Sequence, residues 1–154
     1  MKVVDFLRSK NCVIPTLRGT SKSEVLTELA QHLAEVQPGI DAAVLGRVLQ
    51  ERELLASTAI GDGIAIPHGK LDTVDSLMGV LGRSVLGLDF DSIDGKPTHL
   101  VFMLVAPTAS TGAHLKALAR LSRLFRSALF RQRLIDAPDG EAMFRIIEEE
   151  DAKY

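Results

Sequence analysis

Apolar positions along this chain change period several times, and each change marks an element. Val25, Leu26, Leu29, Ala30 and Leu33 recur at helical spacing. Ser21-Lys22-Ser23-Glu24, just ahead of them, has the form of a capping box, and Pro38-Gly39 breaks the run. Asp41 can cap a second helix with Val44, Leu45, Val48 and Leu49 on its apolar face, ending near Arg52. Ile64 to Ile66 is a short apolar burst between turn residues and reads as a buried strand, stopped by Pro67. Leu77 to Val85 reads as another strand, Leu88 to Asp91 as a shorter piece, and Asp94-Gly95-Lys96-Pro97 as a turn. His99 to Ala106 is nearly all apolar, as in a central strand covered on both faces, and Pro107 ends it. Leu115, Leu118, Leu121, Leu124 and Phe125 mark a helix from near Ala113, and two further helices are expected over Ser127 to Ile135 and Gly140 to Glu150. This order predicts an α/β fold, a mixed β-sheet sandwiched between helical layers, with residues 1–154 forming a single domain.

Composition narrows the functional classes. A formal net charge of -2 gives no footprint for nucleic acid. No apolar stretch is long enough for membrane insertion, and charges interrupt the N-terminal segment where a secretory peptide needs an unbroken apolar region. Cys12 is the single cysteine, so it cannot form an intrachain disulfide; it reads as a small apolar filler in a cytoplasmic protein.

Candidate chemistry centres on His68. In the order read above, a rigid strand delivers its imidazole to the domain edge, and Gly69 lets the chain bend away. Histidine changes charge near neutral pH and can act as a nucleophile. His114 falls in the first turn of the helix after the buried strand, where unpaired N–H groups and the helix dipole favour anions and disfavour imidazolium. If the two strands are parallel neighbours, both imidazoles face one cleft. The plain alternative is a helix-start histidine without a role. Arg52 is either a solvated helical charge paired with its neighbours or a guanidinium fork for phosphate oxygens. His32 reads as structural or exposed, and His99 as a surface or capping residue. Lys116, Arg120 and Arg123 share one helical face, expected to be solvated. The glycines make neither a phosphate-binding loop nor a dinucleotide fingerprint, and a metal-dependent hydrolase on His68, His99 and His114 lacks any paired-ligand motif.

The run from Arg52 to Lys70, with Thr58-Ala59-Ile60-Gly61-Asp62-Gly63-Ile64-Ala65-Ile66-Pro67-His68-Gly69 at its heart, resembles the signature of the fructose/mannitol-type IIA components of the bacterial phosphoenolpyruvate-dependent phosphotransferase system. Gly112-Ala113-His114-Leu115-Lys116 is similar to that family's second histidine motif, and Asp89-Phe90-Asp91-Ser92-Ile93-Asp94-Gly95-Lys96-Pro97 also matches. The resemblance covers nearly the whole chain. It implies that His68 is the phosphorylated nucleophile, through Nε2, and that His114 and Arg52 help to hold the phosphoryl group. It implies an HPr-like phosphocarrier as donor and no cofactor. An unfused chain is most like the nitrogen-regulatory branch, which controls a kinase or transporter; a sugar-specific IIA serving a IIB component is the alternative. With Nε2 as the attacking atom that the resemblance implies, Nδ1 must carry the proton and donate it to an acceptor such as a backbone carbonyl. Ser57 or Thr58 adds a hydroxyl or is a plain loop residue, and Ile60, Ile64 and Leu71 line the donor's docking surface or belong to the core.

Overall fold

The computed structural model describes residues 1–154, apart from the side chain at position 111. Its elements run β1 (Val13–Ile14), α1 (Lys22–Val36), α2 (Ala42–Leu55), β2 (Ala59–Gly61), β3 (Ile64–Ala65), β4 (His68–Leu71), β5 (Met78–Leu88), β6 (Thr98–Pro107), α3 (Thr111–Leu124), α4 (Ala128–Asp136) and α5 (Gly140–Asp151). Helix starts follow the capping signals. The Ser21 hydroxyl accepts from Glu24 N–H, although the Glu24 carboxylate bonds back to Thr20 and not to Ser21. Asp41 accepts from the N–H groups of Ala43 and Val44, and Ser127 and Asp139 cap α4 and α5 in the same manner.

The sheet is mixed, with order β1-β5-β6-β3-β2 and with β4 also paired to β6. β5 and β6 are antiparallel; β1 pairs parallel with β5, and β3 and β4 pair parallel with β6. Side chains of β6 alternate between two cores. Leu100, Phe102 and Leu104 pack with Leu121 of α3, Phe130 and Leu134 of α4 and Met143 of α5. Val101, Met103 and Val105 pack with Leu26 and Leu29 of α1 and Leu45 and Leu49 of α2. Helices therefore cover both faces, which is why β6 is apolar at nearly every position.

Several boundaries differ from the sequence reading, each for a local reason. The strand expected over 64–66 breaks at Ala65; Pro67 has no N–H to give, and pairing with β6 resumes at His68. His68 thus opens β4 and does not trail a strand. α2 continues past Arg52 to Leu55, and α3 begins at Thr111. Leu88 belongs to the shifted end of β5, and Phe90 is buried without strand pairing. β1 and β2 span two and three residues, too short for a period to register. Arg120 is not solvated: its guanidinium makes a two-bond contact with the buried Asp151 carboxylate of α5. Cys12 lies in the core as expected.

The packing of α2 on β4 needs a glycine. A Cβ at Gly69 would lie 2.6 Å from Val48 Cγ1. We expect Gly69→Ala to lower stability by about 1–3 kcal/mol through overpacking, read as a fall in Tm on thermal unfolding; an unchanged Tm would show that α2 yields without cost.

Candidate functional site

Alternation along one interrupted strand aims His68. Ile64 and Ile66 belong to the core beneath α3, and His68 continues the same face beyond Pro67. Gly69 and Leu71 face the α2 side. The parallel register sets His68 opposite Leu104. β6 ends at Pro107, and α3 then returns over the face that carries Leu104. His114, in the first turn of α3, ends with its ring 5.2 Å from that of His68, the two planes at 62°. The structure therefore brings the two histidines side by side, with His68 half-buried and His114 buried.

The backbone selects a tautomer. Nδ1 of His68 lies 2.8 Å from the carbonyl oxygen of Ile66. A carbonyl only accepts, so Nδ1 carries the proton and Nε2 keeps a lone pair. Burial holds the His68 pKa below the ordinary imidazole value; the Arg52 charge adds to this, while the Ile66 hydrogen bond and the Glu53 carboxylate oppose it. His114 is held below its ordinary value by burial first, then by the charges of His68 and Lys70. Both rings are thus neutral near pH 7. Nδ1 of His114 has no hydrogen-bond partner among the described residues, an unusual condition for a buried polar atom. The Ser110 side chain does not cap α3, so the N–H groups ahead of His114 have no side-chain cap among the described residues, at a helix end that favours anions.

Arg52 comes from the opposite helical layer, in the last turn of α2. Its Nη1 donates to the carbonyl of Ala56 at 3.0 Å, and it forms no ion pair among the described residues. Its acidic neighbour Glu53 turns inward, where the carboxylate accepts from Thr58 N–H and from the Thr58 hydroxyl, both at 2.7 Å. The Ser57 hydroxyl donates to the carbonyl of Phe90 at 2.6 Å. Both hydroxyls considered from the sequence are therefore committed to the loop.

Glu53 escaped the sequence reading, and Asp94 appears there only as part of a turn and of the matching run 89–97. Asp94 accepts from Asp62 N–H, the Ser92 hydroxyl and Lys96 N–H, bonds that hold its carboxyl at about 2 and pin the turn between β2 and β3. The segment 89–97 thus braces the strand that leads to His68. The spacing of Glu53 to Thr58 across a helix end was the signal for Glu53, but acid–threonine pairs at that distance are common and most never meet. Of the expected docking residues, Ile64 and Leu71 are core and Ile60 is exposed; Leu54, Leu55 and Leu115 are large exposed apolar side chains on the elements that carry Arg52 and His114. His32 bonds the carbonyl of Asn11, and His99 bonds that of Ser84, so both are structural.

Residues 6–150 match the family model described as phosphoenolpyruvate-dependent sugar phosphotransferase system, EIIA 2. A nitrogen regulatory protein of Bradyrhizobium diazoefficiens is 39% identical over 147 residues, covering 96% of this chain and 95% of its own. One from Pseudomonas aeruginosa is 38% identical over 129 residues, 84% of each chain. The fructose-specific EIIABC component of Bacillus subtilis is 35% identical over 98% of this chain, which corresponds to 24% of that longer protein. Nitrogen regulatory protein IIA-Ntr from Neisseria meningitidis superposes with a TM-score of 0.86 at 30% identity, covering 94% of this chain and 98% of its own. Mannitol IIA of Escherichia coli, solved with phosphorylated IIB, has a TM-score of 0.77 at 17% identity over 90% of this chain and 95% of that one, and shares the fold. A sheet between helical layers, two neighbouring imidazoles and a match over nearly the whole chain lead to one assignment: the protein belongs to the EIIA 2 family of the phosphoenolpyruvate-dependent phosphotransferase system, on the side of its nitrogen-regulatory members.

Proposed function

We propose that His68 accepts a phosphoryl group on Nε2 from the phosphohistidine of an HPr-like carrier, and that the chain acts as one cytoplasmic phosphocarrier unit, mainly in regulation. One observation carries this reading: the Ile66 carbonyl holds the Nδ1 proton, so the lone pair of Nε2 stands uncommitted beside His114. In the transfer, the Nε2 lone pair forms a bond to phosphorus as the donor's N–P bond breaks. The bonding electrons return to the donor imidazole, and the Nδ1 proton stays where it is. Alignment and charge stabilisation dominate such a step. Arg52 supplies a cation, and His114 with the first turn of α3 supplies hydrogen-bond donors.

A carrier must also release its cargo. Arg52 is only half-buried, and the site draws on few groups, which suits a phosphoryl group held long enough to pass on. Exposed Leu54, Leu55, Ile60 and Leu115 give the donor an apolar surface around the cleft. Phosphate at His68 adds a near-dianion at that surface, a change able to switch binding of a regulated kinase or transporter. Delivery to a IIB component for sugar uptake, the alternative, is not favoured by the high similarity to full-length nitrogen regulatory proteins.

With phosphoenolpyruvate, enzyme I and the carrier present, wild-type protein should gain one acid-labile phosphate at His68, and His68→Ala none; labelling of that variant would refute the assignment. Arg52→Ala and His114→Ala should each slow acceptance by about a hundred- to a thousandfold, the range for a lost transition-state donor, with little change in Tm. A large fall in Tm at unchanged rate would make either residue structural. An NMR titration of the His68 ring should give an inflection below 6.5. Protons bind the unfolded chain more readily than this native histidine, so its contribution to stability is full above pH 6.5 and diminishes as pH falls towards the native pKa. An inflection above 6.5 would mean that burial does not dominate the His68 environment.

A further inference from the structure

We propose that Glu53 is a positioning residue that fixes the His68 tautomer by drawing the Thr58 amide away from the Ile66 carbonyl. The inference rests on His68 as phosphoacceptor and adds to that reading the group that holds its carbonyl partner available.

The ladder between β2 and β3 supplies the argument. Ala59 is registered opposite Ala65 in this antiparallel pair. One step further along, Thr58 stands opposite Ile66, and Ile66 N–H donates to the Thr58 carbonyl at 3.0 Å. Residues paired in this way normally exchange two bonds, so Thr58 N–H should return to the Ile66 carbonyl. It does not. Thr58 N–H donates to Glu53 Oε1 at 2.7 Å, and the Thr58 hydroxyl donates to Oε2 at 2.7 Å. The Ile66 carbonyl takes the Nδ1 proton of His68 in place of the ladder bond.

Glu53 is built for that diversion. It is 7% exposed, so its carboxylate must be satisfied from within. Thr58 supplies two donors. Lys22 of α1 lies 3.4 Å from Oε1 and 2.7 Å from the Asp91 carboxylate, which supplies the countercharge. Charge-assisted bonds from an amide to a carboxylate are stronger than neutral ladder bonds, so the amide stays with Glu53. A continuous series results, from Lys22 through Glu53, Thr58 and Ile66 to His68, with every donor facing an acceptor. A neutral histidine without such a partner samples both tautomers, and only the one with Nδ1–H exposes Nε2 as nucleophile.

Through-hydrogen-bond couplings and imidazole nitrogen shifts in the unphosphorylated protein test this. Wild type should show the Thr58 amide coupled to the Glu53 carboxylate carbon, and His68 wholly as the Nδ1–H tautomer. Glu53→Ala should move the Thr58 coupling to the Ile66 carbonyl, mix the His68 tautomers and slow phosphate acceptance about tenfold, as for one lost hydrogen bond. Glu53→Gln keeps an acceptor for the amide and a donor for the hydroxyl, so it should retain the tautomer and most of the rate. A Thr58 amide coupled to the Ile66 carbonyl in wild type, or a single Nδ1–H tautomer persisting in Glu53→Ala, overturns the proposal. The wild-type measurement decides even if the alanine variant fails to fold. Phosphate mapped to a residue other than His68 would instead overturn the phosphoacceptor reading while leaving these couplings in place.

Discussion

Parallel pairing of β4 with β6 sets the geometry of everything around His68. With His68 opposite Leu104 and Leu71 opposite Pro107, the strand that carries His68 is held against the most buried strand of the sheet. Because β6 leads directly into α3, the same pairing decides where α3 begins its return and so which of its residues reaches His68. A slip of one residue between β4 and β6 would turn His68 to the α2 face and Gly69 to the α3 face. That slip is opposed from both sides. Val48 fits only against a glycine, and Ile64 and Ile66 fill the core below α3.

The cleft joins elements from both helical layers. α2 brings Arg52 and Glu53 from one side of the sheet, and α3 brings His114 from the other. Adjacent positions at the end of α2 do opposite work. Arg52 remains at the surface, turned back on the carbonyl of Ala56, while Glu53 is buried against Thr58. A cation and an anion one residue apart would cancel if both faced solvent. The helical turn of 100° per residue separates them, so the guanidinium stays at the surface and the loop receives an acceptor.

Electrostatics here favours neutral, unprotonated rings at His68 and His114. Burial keeps both imidazoles from protonating, and α3 presents its positive end to the cleft. On the proposed reading, an incoming phosphoryl group would meet N–H donors and one guanidinium instead of a closed shell of charges. Strong complementarity to such a group would trap it, whereas a site with few contacts would let it move on at modest cost. The segment 89–97 serves this arrangement at a distance: Asp94 fixes the turn before β3, and Asp91 shares Lys22 with Glu53.

Local signals in the chain determined the helices, the central strand and the candidate side chains. Capping residues at Ser21, Asp41, Ser127 and Asp139 mark helix starts because they satisfy amides within a few positions of themselves. The apolar run of β6 reported burial on both faces, and the two histidine motifs reported where chemistry could sit. Short pieces such as β1 and β2 left no period to read, and the exchange of a strand end for a strand start at His68 turned on where pairing resumes after a proline. Only the tertiary structure decided that β4 lies parallel to β6, that Ile66 is the carbonyl that holds Nδ1, and that Glu53 claims the Thr58 amide. Each depends on which of several chemically equivalent donors and acceptors come within reach of one another, and that choice belongs to the packing of distant segments, which no stretch of sequence encodes alone.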